Sequence, residues 1–157
     1  MSLQIAEPLR DETNVALLHL LRDDPRLSVS ELARRVKMSA PAVRERLQRL
    51  EEAGIVGWRI ALDARALGFP ICAFVRVRPA PGQLTKVAEL AQRMPQVTEC
   101  HRVTGEDCFI LKIHFEAIDR LDRVLDRFLA HGQTTTSIVQ STPVAPRGLP
   151  LPDERRG

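Results

Sequence analysis

Between residues 28 and 54 the chain carries two helix starts separated by a gap too short to be a loop. Ser28 followed by Glu31 reads as a capping box: the serine oxygen accepts a backbone N–H at the first turn and the glutamate reaches back. Leu32 and Val36 then supply a buried stripe, and this helix runs to about Lys37. Ser39 is a second N-cap, after which Val43, Leu47 and Leu50 fall at i, i+4 and i+7 before Gly54 stops the helix. Only Met38 and its neighbours are left to join the two helices. Two short helices closed by so tight a turn form a helix-turn-helix, whose second member enters the DNA major groove N-terminus first.

A helix before this pair completes a small bundle. Asp11, Glu12 and Thr13 open it, Leu17, Leu18 and Leu21 face the core, and Asp23, Asp24 and Pro25 end it. The net charge of the whole chain is only +3, but Arg26 to Arg59 holds eight basic residues against four acidic ones, so the positive excess sits where the helix-turn-helix lies. Ser39, Ala40, Pro41, Arg44, Glu45, Gln48 and Arg49 would be offered to DNA. Arg44 and Gln48 suit base edges, while Arg34, Arg35, Arg46 and Arg49 suit phosphates. Arg46 lies at the edge of the apolar stripe and is as well placed to brace the helix. For each arginine the alternative is a solvated helix face.

The remainder alternates differently. Trp58 to Asp63 reads as a strand leaving the first domain, and Ala64 to Pro70 as a linker. Strands are expected at Ile71–Arg78, Val97–Thr104, Cys108–Phe115 and Thr136–Ser141, with helices at Leu84–Met94 and Ile118–Ala130. The order βαββαβ is that of ferredoxin-like folds, so the fold class is α+β. If Gly105 and Glu106 are the two-residue turn of the middle hairpin, Glu99 lies opposite Lys112, a favourable charge pair. Phe109, Leu111, Ile113 and Phe115 then share a face with Cys100, beneath the helices. Val97, Glu99, His101, Val103, Ile110 and His114 share the other, apolar enough in part to expect a partner chain over it. Residues 145–157, rich in Pro and Arg, have little to bury and are expected to be a flexible tail.

Composition narrows the class. A 44% hydrophobic and 27% charged chain has a real core. No apolar run is long enough for a membrane helix, and no basic-then-apolar start marks export, so a cytoplasmic place is expected. Cys72, Cys100 and Cys108 have neither zinc-site nor disulfide-scaffold spacing.

Two segments carry a resemblance. Residues 27–58, LSVSELARRVKMSAPAVRERLQRLEEAGIVGW, and residues 99–113, ECHRVTGEDCFILKI, resemble the Lrp/AsnC, or feast/famine, family of transcription regulators over about Leu9 to Val144. The resemblance implies a DNA-binding domain at 9–57, a connecting strand and linker at 58–70, and an effector and oligomerisation domain at 71–144. It also implies dimers through back-to-back sheets, further assembly to tetramers or octamers, and a small amino acid bound between dimers. Thr104, Gly105 and Asp107, with Gln133, Thr134 and Thr136, would form that effector pocket, and no other cofactor is implied. Asn14 stands where the family usually has an acidic residue, Lys37 where a glycine commonly precedes the recognition turn, and the GQTTTS stretch at 132–137 is not the commonest version.

Two other classes remain open. A ferredoxin-like enzyme or metal site would have to use Cys100, His101, Cys108 and His114, but neighbours on a strand point to opposite faces and Cys100 falls opposite Leu111. An interaction module without DNA binding would leave the local positive charge unexplained.

Overall fold

The structure, a computed structural model, describes residues 6–156. The chain divides into two compact units, residues 1–60 with 144–157, and residues 61–143.

In the first unit, three helices follow a 3-10 turn at Glu7–Arg10: α1 (Glu12–Asp23), α2 (Val29–Arg35) and α3 (Ala40–Glu52). Each starts on an oxygen side chain. Asp11 accepts from the amides of Thr13 and Asn14 at 2.8 and 3.3 Å, Ser28 from Glu31 at 3.2 Å, and Ser39 from Ala42 at 3.4 Å. The Ser28 box is therefore formed on the serine side, while the Glu31 carboxylate turns to Arg34 and Arg35 at 3.5 and 3.6 Å. Leu17, Leu21, Leu32, Ala33 and Val43 form the core. Between α2 and α3 the backbone of Lys37 turns left-handed, with φ of 55°. The family's usual glycine at this point is thus a conformational requirement that lysine meets under strain. Gly54, with φ of 67°, ends α3 as expected.

Residues 58–63 are not a strand, contrary to expectation. The alternating run has no partner strand among the described residues, and Trp58, Ile60 and Leu62 remain exposed. The Trp58 indole instead donates to Glu51 at 2.8 Å. Residues 152–156 form a 3-10 turn belonging to the first unit, where a flexible tail was expected.

The second unit is a four-stranded antiparallel sheet of β1 (Ile71–Pro79), β2 (Val97–Arg102), β3 (Phe109–Phe115) and β4 (Gly132–Ile138), in the order β2-β3-β1-β4, with α4 (Leu84–Arg93) and α5 (Asp119–Leu129). Ala73, Val75, Val77, Phe109, Leu111, Ile113 and Phe115 pack under Val87, Ala91, Val124 and Phe128 of the helices. The expected hairpin register holds: Glu99 pairs with Lys112, at 2.9 Å between side chains, and Cys100 with Leu111. It shifts by one residue between Val97 and Glu99, which brings Val97 opposite Ile113 and onto the core side. Simple alternation placed Val97 on the outer face, and the bulge at Thr98 overturns it. Cys100, at the edge strand, stays exposed.

The last strand begins at Gly132, four residues before the expected start, and ends at Ile138. Gly132 pairs with Pro79 so closely that a Cβ there would sit 2.8 Å from the Pro79 Cα and closer still to the Arg78 carbonyl. That approach explains the glycine.

Candidate nucleic-acid interface and ligand region

α3 presents an exposed stripe of Pro41, Arg44, Glu45 and Gln48, spaced at three and four residues, opposite the buried Val43 and Leu50. Ser39 caps the helix at the end where a groove-entering helix meets base edges, and Ala40 follows it half-buried. Four of the polar side chains on this helix are held in pairs. Arg49 pairs with Glu45 at 2.5 Å, and Gln48 donates to Glu52 at 2.8 Å. Arg44 makes no ion pair or side-chain hydrogen bond among the described residues, so its guanidinium is free to take an acceptor. Arg34 and Arg35 share the single carboxylate of Glu31, leaving net positive charge at the end of α2.

Arg46 does something else. Its Nη1 donates to Asp11 at 2.5 Å and to Asn14 Oδ1 at 2.9 Å, and Asn14 in turn donates from Nδ2 to the Pro8 carbonyl at 2.8 Å. The hydrogen bond from Arg46 holds the Asp11 carboxyl below the usual aspartate range, and the amides of Thr13 and Asn14 add to this. One aspartate therefore caps α1 and anchors α3 to it. Asn14 is the buried polar residue among the described residues of this unit, and its place in the clamp explains an amide where the family usually has an acid.

The hairpin turn carries Thr104, Gly105 and Asp107, with Gly105 at φ of 110° and Val103 N–H bonded to the Cys108 carbonyl at 2.9 Å. Asp107 lies 3.8 Å from both Arg76 and Arg78 of β1, and Arg78 also pairs with Glu106. On β4, Gln133 is opposite Arg78 and Thr135 opposite Arg76, whereas Thr134 and Thr136 lie opposite the buried Val77 and Val75. The six candidate effector residues therefore divide. Asp107 and Gln133 gather on the outer face around Arg76 and Arg78, while Thr134 and Thr136 point to the helix side. Gln133, Thr134 and Thr136 are in the strand rather than before it. Sequence reasoning passed over Arg76 and Arg78, although their period-2 spacing with Phe74 was the available signal.

The outer sheet face also carries Cys72 opposite His114, with Phe74 exposed beside them. His114 Nδ1 is buried without a hydrogen-bond partner among the described residues, and burial lowers the basicity of its ring. Burial likewise pushes the Cys72 thiol up, away from a reactive thiolate. Among the described residues no three His, Cys, Asp or Glu side chains come together to hold a metal, and no helix is long and apolar enough to cross a membrane.

Residues 10–56 match the model of a winged helix-turn-helix DNA-binding domain, and residues 72–149 that of the Lrp/AsnC ligand binding domain. The transcriptional regulator LrpC of Bacillus subtilis is 29% identical over 132 residues, covering 83% of this chain and 92% of the relative. The regulator LrpA of Mycobacterium tuberculosis is 30% identical over 136 residues, 84% of this chain and 91% of the relative. Among solved structures, the regulator NMB0573 of Neisseria meningitidis in complex with L-Met superposes with a TM-score of 0.83 at 29% identity, covering 91% of this chain and 97% of that one. The structure of B. subtilis LrpC gives 0.80 at 28% identity, over 87% and 98%. With a DNA-binding unit built on a capped recognition helix, and a βαββαβ unit matching the family's ligand domain, this chain belongs to the Lrp/AsnC family of DNA-binding transcription regulators.

Proposed function

We propose that the chain regulates transcription by binding pseudo-palindromic operators as a symmetric dimer or a larger assembly of dimers, in the cytoplasm, with a small amino acid shifting its occupancy, and that it catalyses no reaction. The observation that carries this reading is the outward stripe of α3, with Arg44 unpaired on a helix that Arg46 fixes to α1. Arg44 and Gln48 read base edges. Arg34, Arg35 and Arg49 meet phosphates, and Ser39, Ala40, Pro41 and Glu45 lie along the same surface. Arg46 positions the helix. Phosphate neutralisation makes the affinity fall with salt.

The effector reading is supported by the L-Met bound to the Neisseria relative. On this chain the charged groups suited to a zwitterion are Arg76, Arg78 and Asp107, beside Gly105 and Gln133. The carboxylate goes to the arginines and the ammonium to Asp107. Thr104 lies on the same turn. Thr134 and Thr136, on the helix side of the sheet, lie outside this outer-face site. An effector acts only through its different affinity for two assembly states.

The test is binding to the chain's own upstream DNA and to random DNA over a salt series, with and without single amino acids. Arg44→Ala should cost about 1–3 kcal/mol on the specific site and little on random DNA. Equal loss on both would make Arg44 a phosphate contact. No preference for any genomic fragment by the unaltered protein would refute the operator reading.

A further inference from the structure

Residues 144–157 are the second segment of the first unit, and their acidic side chains close on the outward side of α1. Both oxygens of Glu154 accept from Arg22, Oε2 from Nη1 and Oε1 from Nη2, each at 2.7 Å. Such a fork-on-carboxylate pair is the most geometrically selective a guanidinium makes. The Leu151 N–H also donates to Glu154 Oε2 at 2.7 Å, so the turn that presents the carboxylate is itself held by it. Beside this pair, His19 Nε2 lies 2.8 Å from Asp153 Oδ2, and Arg22 Nη2 lies 3.1 Å from His19 Nδ1. Arginine can only donate, so His19 Nδ1 accepts and its Nε2 carries the proton given to Asp153. Asp153, His19, Arg22 and Glu154 thus form one connected line of polar contacts. Gly148 lies alongside, where an added Cβ would rest 3.5 Å from the Arg22 Cδ.

α1 is also the helix on which α3 is seated, through Asp11 and Asn14 to Arg46. We infer that residues 144–156 are a strap whose carboxylate clasp, Asp153 on His19 and Glu154 on Arg22, holds α1, and through it the recognition helix, in the DNA-binding form. The link to DNA rests on the reading of α3 given above; the clasp itself does not. The occupant of this surface is the chain's own segment, and the recognition is of paired carboxylates by a guanidinium and an imidazole.

The test uses the full chain in four forms: unaltered, Glu154→Gln with Asp153→Asn, Arg22→Glu, and the swap Arg22→Glu with Glu154→Arg. Amide hydrogen exchange of α1 and of residues 151–156 is followed without DNA, and affinity for the specific DNA is measured separately. A clasp of exposed charges predicts exchange about two- to fivefold faster in the two broken forms, at low salt only, with recovery in the swap. Specific DNA binding should weaken by a similar factor and recover with it. Unchanged exchange in the broken forms, or no recovery in the swap, overturns the clasp. Faster exchange with unchanged DNA affinity overturns its hold on the recognition helix. If the unaltered protein itself prefers no DNA, the fault lies in the operator reading, and the exchange result still decides the strap.

Discussion

Replacing Lys37 by glycine should stabilise the DNA-binding unit. Its backbone sits at φ of 55° between α2 and α3, where a Cβ crowds the following carbonyl. For an L-residue that conformation costs about 1–2 kcal/mol. Glycine removes the cost but gains freedom in the unfolded chain, which returns about 0.4–1 kcal/mol. The net expectation is a stabilisation of roughly 1 kcal/mol or a little less. In a unit of this size that raises the melting temperature by about 4 °C. Lys37 is exposed and its side chain makes no hydrogen bond or ion pair among the described residues, so none is lost with it. Lys37→Ala is the needed comparison, because it removes the same charge and stem but keeps the Cβ. Urea and thermal unfolding can be followed by fluorescence of Trp58, the single tryptophan, which lies in this unit and bonds to Glu51. The order expected is Gly above Ala, with Ala close to the unaltered protein. A glycine variant no more stable than the alanine variant would refute the strain argument.

Gly132→Ala should destabilise the sheet unit by roughly 3 kcal/mol, because its Cβ meets the backbone of Arg78 and Pro79 and backbone cannot swing aside. The urea midpoint of that unit decides it, and a shift below a quarter of this would mean that β4 slides. Arg46→Ala should cost about 1 kcal/mol of stability in the first unit, discounted for solvent screening of a partly exposed pair, with Arg46→Lys recovering part of it. Because Arg46 depresses the Asp11 carboxyl, that contribution is complete above the usual aspartate range and lost as pH falls through the lowered value; in Arg46→Ala the acid limb of stability against pH should flatten. Glu154, pulled down to about 2 chiefly by Arg22, should keep its clasp through ordinary acid conditions. It should release only as pH falls from the ordinary glutamate value near 4.5 toward 2, read as loss of amide protection at Leu151.

The helix-turn-helix was legible because its signals are local: a hydroxyl at each N-cap, a stripe at helical spacing, a glycine at the end. The hairpin register was legible too, since the Glu99–Lys112 pair and the turn agree on one solution. What escaped was set by contacts distant in sequence. Val97 changes face because an extra residue at Thr98 shifts the register, and nothing in the VTEC run announces it. The start of β4 was missed because its Thr-rich sequence has no apolar alternation; pairing with β1 makes it a strand. Arg46 fell between phosphate contact and brace, because the partner that decides it, Asp11, lies 35 residues away. The segment after Val144 looked idle because its value lies in two carboxylates meeting a helix over 130 residues earlier.

That last separation bears on how the molecule is made. The ribosome releases α1, α2 and α3 early, and their local contacts can assemble while the sheet unit is still being synthesised. Glu154 joins Arg22 only after 132 further residues have been added. If the strap holds the recognition helix as inferred, a nascent chain carries its DNA-reading surface in unfinished form for most of its synthesis, and translation itself sets when the regulator becomes competent.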